Sequence, residues 1–233
     1  MVKPENLSLN AIGWISSCYK ECFGTPRQGA LAPASEAIFT LAPELHSQGY
    51  FSGLESFSHI WLLWQFHQSE QTAKSGKVYP PRLGGGKLGV FATRSPHRPN
   101  PLGLTLARLV EVGENSLKLS GIDLIEGTPI LDLKPYLPEV DEAAGANSGW
   151  VENLLAPPLQ VHFSQGALDT LAKLALPIPR EQFRELIIQS LALDPRPENY
   201  KTREKDYYFR LYDWDIGFVW QEGLFLVNEI RSI

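Results

Sequence analysis

The chain has 233 residues, a formal net charge of −5 and a sequence pI near 5.6, which suits one large domain or a domain with a small appendage. Its 43% hydrophobic content supports a packed core, and no apolar run approaches the roughly 20 residues that a membrane span needs. The N-terminus lacks the apolar segment of an export signal. We therefore expect a soluble cytoplasmic protein with two reduced cysteines, Cys18 and Cys22, and no metal site.

The first two-thirds of the chain is predicted to be rich in β-strands. Short apolar runs lie between glycine and proline residues, and many of them contain β-branched or aromatic side chains. No long helical pattern separates them, which favours a sandwich or barrel over a doubly wound parallel sheet. The predicted strands are Leu9–Ile15, Ala37–Leu41, His59–His67, Leu88–Thr93, Leu102–Val112, Ser116–Leu119 and Thr128–Leu133.

The remaining residues predict a small α+β unit that follows a linker or ordered loop at Asp141–Pro158. Ser164 can cap a helix over Gln165–Leu174, and Pro179 begins a second helix with an apolar face. Two strands, Tyr207–Trp220 and Leu224–Ile230, are predicted to meet at a turn. The division predicted from this pattern places one domain at 1–145 and a second at 155–233.

A basic segment, Gln71–Val110, contains no aspartate or glutamate although the whole protein is acidic. Such a segment predicts a surface for an anionic partner. Three prolines fix the backbone of its stretch from Arg94 to Pro101, which favours a rigid site over a connection with solvated arginines. Its cations are Lys74, Lys77, Arg82, Lys87, Arg94, Arg98 and Arg108.

Other motifs are weaker. Gly84–Lys87 lacks the residues of a phosphate-binding loop and favours a flexible turn. No Rossmann dinucleotide fingerprint and no nucleophile elbow are present. Asp132 and Lys134 lie two apart on a predicted strand, where they form either part of a site or a structural ion pair.

Several motifs, in this order, resemble the TsaA/TrmO family of tRNA N6-methyltransferases. They are PRQ at Pro26–Gln28, GLESFSHIW at Gly53–Trp61, PPRLGG at Pro80–Gly85, GVFATRSPHRPNPLG at Gly89–Gly103, DLIEGTPILDLKPYLP at Asp123–Pro138 and DPRP at Asp194–Pro197. The resemblance covers nearly the whole chain and is closer to the bacterial form, which carries a C-terminal appendage.

The resemblance implies a mostly β fold, with a single-sheet TsaA-like β-barrel that binds S-adenosylmethionine and a small C-terminal α+β domain. It implies a homodimer that methylates N6 of threonylcarbamoyl-adenosine, next to the anticodon of a threonine tRNA. The implied cofactor contacts are Pro26, Arg27, Gln28, His67, Gln68, Arg94, Leu104, Leu124, Ile125, Glu126 and Gly127.

The chemistry of the side chains suggests which part of the cofactor or substrate each of these residues binds. Carboxylate or carbonyl groups of the Asp123–Gly127 turn suit a cationic sulfonium, and arginines suit the cofactor's carboxylate. Near the acceptor we expect Arg98 to bind a carboxylate or phosphate, Asn100 to orient the ureido group, and Asp132 to act as base or structural partner. Phosphate contacts are expected from Lys77, Arg82, Lys87 and residues 201–205.

Two other functions remain open at this point. The basic segment is compatible with a non-catalytic RNA-binding module, because a basic patch alone confers binding to nucleic acid. It is also compatible with a small-molecule methyltransferase that uses S-adenosylmethionine on an anionic metabolite.

Overall fold

The computed structural model describes residues 8–68, 75–80, 83–152, 157–197 and 205–233. The strands are β1 (Gly13–Ser17), β2 (Glu36–Leu41), β3 (His59–Gln65), β4 (Lys77–Val78), β5 (Leu88–Gly89), β6 (Leu102–Val112), β7 (Ser116–Ser120), β8 (Pro129–Pro135), β9 (Val161–Phe163), β10 (Tyr207–Leu211), β11 (Trp214–Gln221) and β12 (Leu224–Ser232). The helices are α1 (Pro138–Asp141), α2 (Gln165–Leu171) and α3 (Arg180–Ala192).

Six antiparallel strands close into one barrel in the order β1-β2-β7-β6-β3-β8. Closure pairs both sides of each strand, so the barrel has no open edge. Side chains that alternate along the strands fill its interior, among them Ile15, Phe39, Leu62, Leu117 and Ile130, all 4% exposed or less. The prediction of a single-sheet β-barrel is confirmed.

The C-terminal part is an α+β unit, as predicted. Its sheet has the order β10-β11-β12-β9, with β9 parallel to β12. Ser164 caps α2, because its Oγ accepts a hydrogen bond from the Ala167 N–H at 3.1 Å. The predicted apolar face of α3, including Phe183 and Leu186, is fully buried. Among the described helices, none is both long and apolar enough to cross a membrane.

The C-terminal unit packs directly onto the barrel. The Tyr212 N–H donates to the Cys18 carbonyl at 2.8 Å, next to a bridge between Tyr19 and Leu211. On α3, the Gln189 side chain accepts from the Ala34 N–H at 2.9 Å. One continuous apolar cluster includes buried residues of both units. The C-terminal unit therefore packs against the chain segment at Cys18 and Tyr19, which precedes the Pro26–Gln28 loop.

One predicted strand, Leu88–Thr93, is wrong over most of its length. Only Leu88 and Gly89 pair in β5, and a 3-10 turn follows at Val90–Ala92. The Val90 carbonyl accepts both the Thr93 N–H at 3.1 Å and the Thr93 hydroxyl at 2.8 Å. These local hydrogen bonds compete with strand pairing and close the turn.

Other boundaries differ because tertiary pairing decides them. The first strand begins at Gly13 rather than at Leu9, because its pairing with β2 starts at Gly13, which lies opposite Leu41. The second unit's first predicted strand is two strands, since Tyr212 adopts a left-handed φ of 53° between them. The α2 helix ends at Leu171 rather than at Leu174. The short strand β9 and the helix α1 were not predicted.

Trp64 closes one end of the barrel interior, and Gly103 makes room for it. The two residues pair across β3 and β6, and the indole lies over the Gly103 backbone. A Cβ atom at position 103 would lie 2.2 Å from the indole ring. Any side chain at position 103 must therefore displace Trp64.

We expect Gly103→Ala to lower the free energy of unfolding by about 1–3 kcal/mol, the usual cost of overpacking a core. Urea denaturation measures this change. Gly166→Ala is the matched control, because Gly166 lies in α2 and a Cβ atom there would have no neighbour within 4 Å. That variant should raise the free energy of unfolding by up to about 1 kcal/mol. An unaltered stability in Gly103→Ala would contradict the packing described for Trp64.

Candidate functional site

The Pro26–Gln28 loop is held against the end of the barrel by a close approach of two backbones. A Cβ atom on Gly29 would lie 2.2 Å from the Gly121 carbonyl oxygen, so only glycine fits there. Next to this contact the buried Ser35 hydroxyl accepts the Ile122 N–H at 2.8 Å. The loop and the segment that leads into the Asp123–Gly127 turn are thereby fixed to each other.

Arg94 joins the same site from the basic segment. Its guanidinium Nη1 donates a hydrogen bond to the side-chain oxygen of Gln28. Arg94 and Arg27 are both exposed, whereas Pro26 is buried. Two predicted cofactor residues that are 66 positions apart in the chain therefore meet directly.

A chain of two hydrogen bonds connects buried side chains of the barrel to Asp123. Trp64 Nε1 donates to Thr105 Oγ1 at 3.0 Å, and Thr105 Oγ1 donates to Asp123 Oδ1 at 2.5 Å. Trp64 and Thr105 are 7% and 5% exposed. A hydroxyl has one proton, so Thr105 accepts from the indole and must donate to the carboxyl.

Burial raises the pKa of the Asp123 carboxyl above its ordinary value. Hydrogen bonds from Thr105 and from the backbone N–H groups of Asp123 and Gly29 lower it in part, as does the positive charge of Arg94. Asp123 is therefore hydrogen-bonded to the barrel through Thr105 and to the loop through Gly29, and the charge of Arg94 acts on it.

The Leu124–Gly127 turn is supported from inside. The Leu124 side chain is fully buried, and its carbonyl accepts the Ser17 hydroxyl at 2.6 Å. The Glu126 carboxylate accepts the Ser17 N–H at 2.7 Å and pairs with Lys20 Nζ at 2.8 Å. The side chains of Leu124 and Glu126 thus serve the fold, and the backbone N–H groups of Glu126 and Gly127 donate to the Tyr19 and Ile15 carbonyls at 2.8 Å each.

His67 lies beside this turn. Burial lowers the pKa of its imidazole, and a hydrogen bond to the Glu126 backbone partly offsets that effect. His67 Nε2 is 4.0 Å from the position that a Cβ on Gly127 would occupy. Gln68, the next residue, is exposed. The structure therefore brings His67 to the turn, as the predicted contact set requires.

Leu104 and Asp132 lie on the outer face of the barrel. Leu63 on β3 pairs with Leu104 on one side and with Asp132 on the other. Leu104 is 58% exposed. Asp132 forms an ion pair with Lys134 at 2.9 Å and accepts the Leu133 N–H at 2.9 Å. The geometry of Asp132 therefore matches the structural alternative considered for it.

Arg98 folds back onto its own loop. Its Nη1 donates to the carbonyls of Thr93 and Ser95, at 3.3 Å each. Asn100 is exposed, and its backbone carbonyl accepts the Leu102 N–H at 2.8 Å. Within the described ranges no hydrogen bond or ion pair joins Asp132 to this loop, so these three residues do not form a connected cluster.

The surface around Arg94 carries further cations and exposed aromatic rings. Lys87 Nζ lies 4.8 Å from the centre of the Tyr79 ring, and Phe91 is 78% exposed. Trp150 Nε1 donates to the Ala92 carbonyl at 2.7 Å and so attaches the linker to this segment. The predicted phosphate contacts Arg82 and residues 201–204 lie outside the described residues, as does Lys74.

Two family models match the chain. The tRNA-methyltransferase O N-terminal domain covers residues 14–142, and the TrmO C-terminal domain covers residues 156–233. The chain belongs to the TrmO family. The predicted family resemblance is thereby confirmed, and the described barrel corresponds to the N-terminal TrmO domain.

Similar TrmO proteins support this assignment. The tRNA (adenine(37)-N6)-methyltransferase of Escherichia coli is 39% identical over 88% of this chain and 89% of its own. A Pseudomonas aeruginosa relative that carries the name of an S-adenosylmethionine-dependent methyltransferase is 43% identical over 90% of both chains. A crystal structure of TrmO from P. aeruginosa has a TM-score of 0.79 at 36% identity and covers 100% of both chains.

The two cysteines precede the Pro26–Gln28 loop of this TrmO site, and Cys22 lines a cavity together with Pro26 and Arg27. Cys18 is buried and Cys22 exposed, and both are free thiols. Burial raises the pKa of Cys18 to about 12, which leaves its thiol unreactive. Across the described ranges no group of three or more histidine, cysteine, aspartate or glutamate residues could hold a metal ion.

The sequence-based contact set omitted Asp123, Thr105 and Trp64, which together form the base of the TrmO site. The signal for Asp123 was present, because it immediately precedes the Leu124–Gly127 turn. Thr105 carried no such signal, because the apolar Leu104 and Leu106 on either side of it predict the opposite face to be buried, whereas the structure buries Thr105 and exposes Leu104. Their connection depends on pairing between Leu62 and Thr105 across β3 and β6.

We expect Asp123→Asn to raise the free energy of unfolding of the ligand-free protein at neutral pH, because it removes a charge that burial disfavours. The folded protein keeps the Asp123 proton over a pH range in which the unfolded chain has lost it. Stability of the unaltered protein therefore falls as pH rises through that range. The advantage of the variant should grow as pH is raised from 3.8, the ordinary pKa of this side chain.

Urea denaturation at a series of pH values measures this difference. Asp169→Asn is the control, because Asp169 is an exposed carboxylate on α2 that accepts a hydrogen bond from Gln165. A stability difference for Asp123→Asn that does not change with pH would contradict the raised pKa.

Proposed function

We propose that this protein transfers a methyl group from S-adenosylmethionine to N6 of threonylcarbamoyl-adenosine in a threonine tRNA. The acceptor is adenosine 37, the position named for the Escherichia coli relative. The observation that carries the proposal is the meeting of Gln28, Arg94 and Asp123 at one end of the barrel. A tRNA substrate also supports the proposal of a cytoplasmic location.

The residues at this site fit S-adenosylmethionine chemically. The exposed guanidiniums of Arg27 and Arg94 suit a carboxylate. The buried carboxyl of Asp123 suits a positive charge, and Leu104 offers an exposed apolar surface for a ring. When bound, S-adenosylmethionine supplies an electrophilic methyl group. We propose that the full set predicted from the resemblance, including Pro26, His67 and Gln68, surrounds it.

Methyl transfer breaks the bond between sulfur and the methyl carbon and forms a bond to N6, which loses one proton. The ureido group makes this nitrogen more acidic than an ordinary exocyclic amine, so alignment is the main requirement. We propose that Asn100 orients the ureido group and that Arg98 binds the threonyl carboxylate. The N6 proton passes to water, and for Asp132 we propose the structural role of ion-pair partner to Lys134.

The proposed RNA-binding surface is the basic segment next to Arg94. Lys77 and Lys87 supply charge for phosphates, and such contacts weaken as salt concentration rises. Phe91, exposed in the rigid part of this segment, can stack on a base of the anticodon loop. We propose residues 1–145 as the cofactor-binding domain and residues 155–233 as the C-terminal domain, without a resident metal.

The test is transfer of a labelled methyl group from S-adenosylmethionine to threonine tRNA that carries threonylcarbamoyl-adenosine. We expect Arg94→Ala to reduce transfer by at least about 100-fold, because it removes a charged partner of the cofactor. Arg184→Ala is the control, since Arg184 is exposed on α3 and contacts the Phe163 ring. It should keep full activity.

Three outcomes would contradict the proposal. Absence of label on correctly modified tRNA would reject the activity, and tRNA binding without any cofactor binding would favour an RNA-binding module. Cofactor turnover that tRNA does not affect would favour a small-molecule methyltransferase. Full activity of Arg94→Ala would remove Arg94 from the site.

We also propose that the protein is a homodimer that associates through the outer face of the barrel. On this face lie the outward side chains of β3 and β6 and the exposed helix α1, which a hydrogen bond from Trp61 to Asp141 attaches to β3. Burial of such apolar surface favours association. We call this set the outer apolar face; it consists of Trp61, Leu63, Leu106 and Val140.

We expect Val140→Glu to convert the dimer to a monomer, because Val140 is 76% exposed and the change places a charge in the outer apolar face. Sedimentation velocity measures the mass in solution. Tyr50→Glu, at a tyrosine that is 56% exposed in a distant loop, is the control and should remain dimeric. A monomeric unaltered protein would reject the proposal.

A further inference from the structure

Asp123 is a buried carboxyl whose surroundings do not neutralise it. Its Oδ1 accepts a hydrogen bond from Thr105 Oγ1 at 2.5 Å, and Thr105 Oγ1 in turn accepts one from Trp64 Nε1. None of the ion pairs among the described residues includes Asp123. Burying a carboxylate without a counter-charge is costly, so this arrangement requires a functional explanation.

Arg94 is the cation whose charge acts on Asp123, but its guanidinium is already hydrogen-bonded to another residue. Its Nη1 donates to the Gln28 side chain. The opposite side of the carboxyl is closed by the barrel wall, where Thr105 is 5% exposed. Asp123 as a whole residue is only partly buried, so part of it remains accessible.

The hydrogen bonds from Trp64 to Thr105 and from Thr105 to Asp123 also fix the position of the Asp123 carboxyl. Thr105 donates its one hydroxyl proton to Asp123 while its oxygen accepts from Trp64, and Trp64 is itself held over Gly103. The carboxyl therefore cannot turn toward solvent without loss of this bond. Such preorganisation is what an electrostatic binding group needs, since little reorganisation is required when a ligand arrives.

We infer that Asp123 is the counter-ion of the cofactor's sulfonium and that it distinguishes cationic S-adenosylmethionine from the neutral product S-adenosylhomocysteine. This inference rests on the proposed function. The carboxylate attracts the ligand that carries a positive charge and has no such attraction for the ligand that has lost it. Asp123 thereby favours release of the spent cofactor after each transfer.

The experiment compares the dissociation constants of both ligands by titration calorimetry, without tRNA. We expect Asp123→Asn to weaken S-adenosylmethionine binding by about 10- to 100-fold, the range of one charge-assisted contact. Binding of S-adenosylhomocysteine should stay close to that of the unaltered protein. Asp123→Glu keeps the charge and should keep the preference between ligands, and Asp169→Asn, an exposed carboxylate on α2, should change neither constant.

The outcomes separate this inference from the proposed function. Equal weakening of both ligands in Asp123→Asn would show that Asp123 only shapes the site, while the methyltransferase proposal would stand. Loss of the preference in Asp123→Glu would also overturn the inference, because the charge would then not be what discriminates. Failure of the unaltered protein to bind either ligand and to methylate tRNA would instead reject the proposed function.

Discussion

The close approach of the Gly29 and Gly121 backbones is the constraint on which the site depends. It leaves no room for a Cβ atom on Gly29 and so holds the Pro26–Gln28 loop at the end of the barrel. The same contact brings the Gly29 N–H near the Asp123 carboxyl, and Arg94 then completes the site through Gln28. A loop, a strand end and a rigid proline-rich segment are joined there by a few short-range contacts.

The barrel provides the rigidity that these contacts need. Its closed hydrogen-bond network fixes β3 beside β6. The inward side chain of Trp64 therefore bonds to Thr105, and Thr105 bonds to Asp123. The C-terminal unit adds support from the other side, because Tyr212 and Gln189 bind the chain just before and just after the Pro26–Gln28 loop. Changes in the C-terminal unit can therefore alter the position of this loop.

Prediction succeeded where local pattern decides structure. The apolar run Leu102–Val112 identified β6 with its observed bounds, and Ser164 identified the start of α2. It failed at Leu88–Thr93, where a β-like composition is overridden by hydrogen bonds from Thr93 to the Val90 carbonyl. It also failed at Tyr212, because a turn at a tyrosine with positive φ has no compositional signal.

Motifs and periodicity are local properties of the chain, and they were enough to establish the family, the β-rich character of the first domain and the residue types that suit a charged cofactor. Which of these residues meet became clear from the folded chain alone. The fold pairs Arg94 with Gln28, places Asp132 with Lys134 on the outer face, and brings Thr105 to Asp123. Those contacts depend on strand register and barrel closure, which join residues far apart in the chain and leave no mark on local composition.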